Sequence, residues 1–179
     1  TPWPSGNTLY EGCTVTLTGS VTADTAQYNS GYSSYAFQDG TGQWNGLVFD
    51  TEEMAIVTRG DEVSVTGLVT DNDPDWVFKF GGNTRLINAT VAVTSTGNET
   101  PAPTGVSASD LAQTAEEVES YEGVLVKLDN VTVSAVNQYD WSITDASGME
   151  ALIDEDMGTM GAGIAMSELV AGQQLSYIM

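Results

Sequence analysis

The residues best placed to do chemistry in this chain are carboxylates. Asp71, Asp73 and Asp75 occupy alternate positions of Asp71-Asn72-Asp73-Pro74-Asp75. Carboxylates at this spacing on a turn can converge on Ca²⁺, a hard cation that takes about six to eight oxygen ligands. The run lacks the glycine and the distal glutamate of a helix–loop–helix calcium loop, and it reads equally as a polar turn between two strands. Asp154-Glu155-Asp156 is a second, shorter acidic run. Other catalytic sets are excluded by residue type. The chain has no histidine, so neither a Ser–His nor a Cys–His pair can form, and the commonest general base is missing. A single cysteine, Cys13, leaves no zinc set and no intramolecular disulfide. Neighbouring carboxylates arise by accident among 25 acidic residues. The expectation is a protein without enzymatic activity, calcium being the one candidate cofactor.

Aromatic residues form the next group. Tyr32, Tyr35, Phe37 and Trp44 lie where a small barrel would present a binding face, and a base stacked on such a ring contributes roughly 1–3 kcal/mol. Tyr32, Tyr35 and Trp44 are therefore candidate ligand-binding residues, whereas Phe37 reads as core. Nucleic acid is a disfavoured ligand. Arg59, Lys79, Arg85 and Lys127 are the only cations against 25 acidic residues, for a net charge of −21, and affinity for a phosphate backbone comes largely from Lys and Arg. Trp3, Trp76 and Trp141 are scattered and open to packing, sugar binding or an interface. Asn88-Ala89-Thr90, Asn98-Glu99-Thr100 and Asn130-Val131-Thr132 fit the N-glycosylation pattern, with Asn98 the most accessible candidate.

The elements that must position these residues read as strands. Nineteen glycines and abundant Thr, Val and Ser favour strands and tight turns. No apolar run approaches the roughly 20 residues of a membrane-spanning helix. The acidity suits a salty or calcium-rich exterior. The first residue is Thr1 and no basic-then-apolar leader is present, which fits a mature secreted product and equally a trimmed chain. Cys13 shares a strand face with Val15 and Leu17, so it is expected to be a small buried hydrophobe.

An internal repeat organises the chain. Tyr10-Glu11-Gly12 returns as Tyr121-Glu122-Gly123, 111 residues later. Phe37-Gln38-Asp39-Gly40-Thr41-Gly42 aligns with Ile143-Thr144-Asp145-Ala146-Ser147-Gly148. Leu47-Val48-Phe49-Asp50 aligns with Ala151-Leu152-Ile153-Asp154. Gly60-Asp61-Glu62-Val63-Ser64-Val65 aligns with Gly172-Gln173-Gln174-Leu175-Ser176-Tyr177. Four landmarks in one order argue for duplication. The first copy predicts strands near 13–23, 33–38, 44–50, 61–70 and 76–93, the last interrupted by Gly81-Gly82, with a tight hairpin at Asp39-Gly40. Short strands after one long, curved first strand predict a Greek-key barrel of the OB type. The expected fold is all-β: an N-terminal extension (1–9), barrel 1 (10–93), a Pro/Thr linker (94–106) and barrel 2 (107–179). A helix of one or two turns is expected after the linker, near Ser109-Asp110-Leu111 and Thr114-Ala115-Glu116-Glu117.

These landmarks resemble the tandem OB-like modules of bacterial extracellular proteins, such as those preceding the catalytic domain of secreted nucleases. The resemblance rests on Phe37–Gly42, on Gly60–Gly67, on Ser107–Leu111 and on Tyr121–Val126, and covers nearly the whole chain. It implies the module without the nuclease activity, which needs histidines that this chain lacks. By the repeat, Met179 corresponds to Gly67, so the second barrel is expected to lack its last strand or strands. An incomplete barrel leaves an unpaired edge, which another subunit can complete by donating a strand. The sequence therefore suggests an extracellular structural or assembly protein that self-associates, in a surface fibre or matrix. Thr1–Leu9 is the expected donor, and Leu175, Tyr177, Met179, Trp3 and Leu9 are the expected interface residues. Two alternatives stand beside it: a binding or spacer region of a secreted nuclease or other exoenzyme, and a calcium- or carbohydrate-binding adhesion module.

Overall fold

The structure, a computed structural model, describes residues 8–24, 33–53, 55–71, 84–112, 118–138, 140–154 and 168–179. The fold is all-β with two sheets and one short helix. The first sheet comprises β1 (Thr14–Ala23), β2 (Ser33–Gln38), β3 (Gly46–Thr51), β4 (Glu62–Thr70) and β5 (Arg85–Ser95). Its strand order is β1-β2-β3-β5-β4, closed on itself. Closure is possible because β1 serves two partners. It pairs with β4 from Thr14↔Leu68 to Ser20↔Glu62, then with β2 across a register shift between Val21 and Ala23. Such an extra residue bends and twists a strand. β5 completes the circuit, running antiparallel to β4 and parallel to β3, where it pairs only at Val48↔Arg85 and Phe49↔Leu86. Val21, Tyr35, Phe37, Phe49, Val63, Val65 and Leu86 fill the interior.

The second sheet follows the segment that the sequence marks as a linker. That segment is held in place: β6 (Thr104–Gly105) pairs parallel with β7 (Val126–Val136). Between them lie α1 (Ala108–Leu111) and a 3₁₀ turn (Val118–Tyr121). The Asp110 carboxylate accepts the Ser107 N–H at 2.8 Å, and Asp145 Oδ2 accepts the Ala108 N–H at 2.8 Å. β8 (Asp140–Thr144), β9 (Glu150–Asp154) and β10 (Gln174–Ile178) complete a sheet of order β10-β7-β8-β9. Its core holds Leu128, Val131, Val133, Trp141, Ile143 and Leu175, with Ala108 and Leu169 packed in from outside the sheet.

The two sheets share several features of their backbone pattern. Ser20↔Glu62 and Leu17↔Val65 reappear as Thr132↔Gln174 and Asp129↔Tyr177. The shift between Val21 and Ala23 reappears between Val133 and Ala135. Tyr35↔Phe49 becomes Trp141↔Ile153. Gly60 donates to Val21 O at 2.9 Å and Gly172 to Val133 O at 2.8 Å, both glycines at φ +89°. That left-handed conformation favours glycine, which explains why Gly60 and Gly172 mark the repeat.

Three sequence expectations are corrected. Asp39-Gly40 does not form the tight hairpin. The loop spans 39–45, closed by Asp39 N–H to Asn45 O at 3.1 Å, with positive φ at Gly42 and Trp44. The last strand of the first sheet runs over Arg85–Ser95, into the expected linker, while 76–83 lie outside the described residues. Cys13 is exposed. It does share a face with Val15 and Leu17, but it lies just before β1 begins, and that face is only partly covered: Val15 packs against the core, whereas Leu17 is 41% exposed.

Candidate functional site

The feature with the most capacity to bind is the pair of edges in the second sheet. With the first sheet written as β4-β1-β2-β3 and β5 joining its ends, the second sheet is β10-β7-β8-β9 with nothing joining β10 to β9 among the described residues. The orientation of the free groups follows from the ladder. Val133 N–H donates to Gln173 O and Val133 O accepts from Gly172 N–H. Bonded pairs alternate along an antiparallel ladder, so Val131↔Leu175 and Asp129↔Tyr177 are bonded pairs. The N–H and C=O groups of Gln174, Ser176 and Ile178 then face away from β7. Their first-sheet counterparts, Glu62, Ser64 and Thr66, pair with Ser95, Ala92 and Thr90 of β5.

Side-chain burial shows the same gap. Phe49 and Val65 are fully buried in the first sheet. Their counterparts, Ile153 of β9 and Tyr177 of β10, are only half-buried. Protein edges are usually protected by charge, proline or a covering segment. β10, Gln174-Leu175-Ser176-Tyr177-Ile178, has neither charge nor proline.

The expected interface residues divide accordingly. Leu175 points into the core, Tyr177 lies beneath the Lys127 ammonium, which is 5.0 Å from its ring centroid, and Met179 is exposed. Leu9 is also exposed, whereas Thr8 N–H donates to Asp71 Oδ2 at 2.5 Å and is tied to the first sheet. Trp3 lies outside the described residues.

The remaining candidates are dispersed. Tyr35 is a core residue, not a surface platform. It stacks on Phe49 at 5.1 Å, and its hydroxyl donates to Ala55 O and accepts from Ala55 N–H. Trp44 is exposed, and Tyr32 lies outside the described residues. Asp73 and Asp75 lie outside them as well. The Asp71 carboxylate is already engaged by Thr8 N–H and by the Thr84 hydroxyl at 2.6 Å. Among the described residues no three carboxylates are grouped to hold a metal. The Asn98 side-chain amide is exposed but donates to Gly60 O and Ser95 Oγ, both at 3.0 Å, so it fastens the linker to the turn before β4. A groove of about 510 Å³ between β5 and residues 51–57 has Ala55, Val57, Ala89 and Val91 in its lining, with Glu52 and Glu53 as its titratable groups among the described residues.

Sequence reasoning missed one cluster, where the second sheet meets the first. Trp44 N–H donates to Ser120 O at 2.7 Å, Leu125 N–H to Gln38 Oε1 at 2.6 Å, and Gly42 N–H to Thr104 Oγ1 at 2.9 Å. A Cβ on Gly46 would lie 2.3 Å from the Gly123 carbonyl, so only glycine permits this approach. Glu122 sits beside that contact and accepts Thr84 N–H at 3.2 Å. Burial, reinforced by the Glu119 and Asp71 charges, pushes its carboxyl up to about 7. Asp145 moves the other way: burial opposes ionisation, but hydrogen bonds from Ser147 and Ala108 outweigh it and hold the carboxyl below its ordinary range. The only sequence signal for the junction was Tyr-Glu-Gly at both repeat starts, and that motif reads as a strand opening. Comparison with protein-family models, curated proteins and solved structures finds no match to this chain.

Proposed function

We propose that this chain is a non-catalytic, extracellular assembly module of two OB-type units, associating with its neighbours by β-strand complementation. One observation carries the reading: the second sheet repeats several pairings of the first, yet among the described residues nothing joins β10 to β9 where β5 closes the first. An unpaired ladder edge free of charge and proline is a template for an incoming strand. The net charge of −21 supports an exterior setting and disfavours polyanionic partners. The lack of histidine supports a non-catalytic role. The resemblance to modules of secreted nucleases supports the OB reading of both units.

The test is sedimentation velocity over a wide concentration range, on the wild type and on Ser176→Pro. The Ser176 N–H faces the open edge, so proline there removes no bond to β7, a position that edge strands tolerate. Wild type should associate with rising concentration while the variant stays monomeric with an unchanged circular dichroism spectrum. A wild type monomeric throughout sinks the proposal. A second reading, a spacer region of a larger secreted exoenzyme, draws on the junction. The hydrogen bonds there and the Gly46–Gly123 approach would hold two units at a set angle, and this reading expects the monomeric result.

A further inference from the structure

β5 has two edges, and β3 covers only the start of one of them. Along β4 it is paired from Thr70↔Arg85 to Glu62↔Ser95. Along β3 the parallel pairing comprises Val48↔Arg85 and Phe49↔Leu86 and goes no further, although β3 itself continues to Thr51. The cause lies in β5. From Ile87 to Thr90 it advances three residues while β4 advances two, from Leu68 to Thr66, and Asn88 within that step is at φ +50°. An extra residue of this kind bends its strand, and the bend falls where the pairing with β3 stops. The groove of about 510 Å³ between β5 and residues 51–57 occupies the space so opened. Its far wall is fixed. The Tyr35 hydroxyl holds both backbone groups of Ala55, the Thr51 hydroxyl donates to Glu53 O at 2.6 Å, and Val57 belongs to the core.

On the β5 side the lining takes Ala89, Val91 and Val93 and also Asn88 and Thr90. Successive side chains of a strand point to opposite faces, so a groove lined by both sets runs along the strand's edge and not over one face. The rest of the lining is apolar and acidic. Ile56 is 94% exposed and Val93 42% exposed, Glu52 and Glu53 are exposed with them, and no Lys or Arg lines the groove among the described residues. We propose that this groove docks an extended, basic segment of a different protein, laid along β5 from Asn88 to Val93. Its apolar side chains rest against Ile56, Val91 and Val93, and a Lys or Arg meets Glu52 and Glu53. Three features select this occupant. A strand edge accepts an extended chain through main-chain hydrogen bonds, and residues 88–93 offer roughly 17–20 Å of it. The two carboxylates select positive charge, and the net charge of −21 steers a cationic partner inward. A second copy of this chain is a poor source of that charge. It has four Lys and Arg in all, of which Arg85 is buried against Asp50 and Lys127 is paired with Asp129. The site is separate from the β10 edge and does not depend on it.

The probe is the synthetic peptide acetyl-Lys-Val-Thr-Val-Lys-Val-amide, titrated calorimetrically into the whole chain, with amide exchange read on the same complex. The expected result is saturable binding that slows exchange within residues 88–93. Affinity should fall at least about fivefold in the double variant Glu52→Gln, Glu53→Gln, and by a similar factor in Ile56→Ser, which removes an apolar contact. All three side chains are exposed, so the fold is kept, and an unchanged circular dichroism spectrum checks it. Affinity unchanged in either variant overturns the proposal, because the peptide is then held by the acidic surface at large or by another face. Slowed exchange confined to other segments overturns it as well. Displacement of the peptide by an equal concentration of hexylamine overturns the strand assignment, since the groove would then be a site for a simple aliphatic amine. No binding up to about 1 mM, a concentration at which even a weak specific peptide would bind, also overturns it.

Discussion

Replacing Glu122 with glutamine tests the junction most directly. The Glu122 carboxyl is half-buried against the first sheet, with Glu119 on its own turn and Asp71 across from it. Its one stabilising contact of note is the Thr84 N–H at 3.2 Å, which a glutamine carbonyl accepts equally well. Burial, then repulsion from Glu119, raises the carboxyl from an ordinary 4.5 to about 7. A raised acid is protonated more readily in the folded chain than in the unfolded one. Folding is therefore unpenalised below pH 4.5, grows costlier as the unfolded carboxyl ionises, and carries the full cost above about pH 7. A rise of this size corresponds to at most ~3.4 kcal/mol, and solvent screening at a half-buried site reduces it to about 1–2 kcal/mol. Glu122→Gln should thus gain about 1–2 kcal/mol over wild type at pH 8. The gain should shrink steadily from pH 7 towards 4.5 and vanish below. Urea denaturation of both proteins across that range measures it, the difference cancelling the other carboxylates. A gain independent of pH, or a loss at pH 8, would refute the electrostatic account of the junction.

Other outcomes follow from packing. Cys13 should react with a thiol reagent in the folded protein at a rate close to that in denaturant, because it is exposed; protection would contradict its exposed placement just before β1. Gly46→Ala should lower stability by about 1–3 kcal/mol, since its methyl would meet the Gly123 carbonyl at 2.3 Å, and an unchanged melting temperature would mean that the two segments are not in contact. Tyr35→Phe should cost about 1–2 kcal/mol in urea denaturation, as it strips Ala55 of its hydroxyl partner. A neutral result would place the ring outside the core.

Much of the architecture was legible because a duplicated pattern prints twice. Gly60 and Gly172 announce a left-handed turn, and the alternation of Val63 and Val65 matches that of Leu175 and Tyr177, so the correspondence of strands between the copies could be read from the sequence, whereas strand order and register could not. The candidate ligand residues were less legible. An aromatic at Tyr35 looks the same in sequence whether it stacks on a base or on Phe49. The spacing of Asp71, Asp73 and Asp75 does not reveal that Thr8 and Thr84 already occupy the first carboxylate. Cys13 was misjudged because period-two alternation assigns a face but not how far the core extends along it.

By itself the sequence determined the all-β class, the repeat, the absence of histidine-based chemistry and the acidic surface, since all four depend on residue type and local period. Only the tertiary structure decided which groups meet across long separations. It placed Glu122 beside Asp71, set Gly46 against Gly123, and turned the N–H of Ser176 away from β7. Those outcomes depend on how β1 bends and how the two sheets abut, and contacts between residues far apart in the chain leave no periodic trace in it.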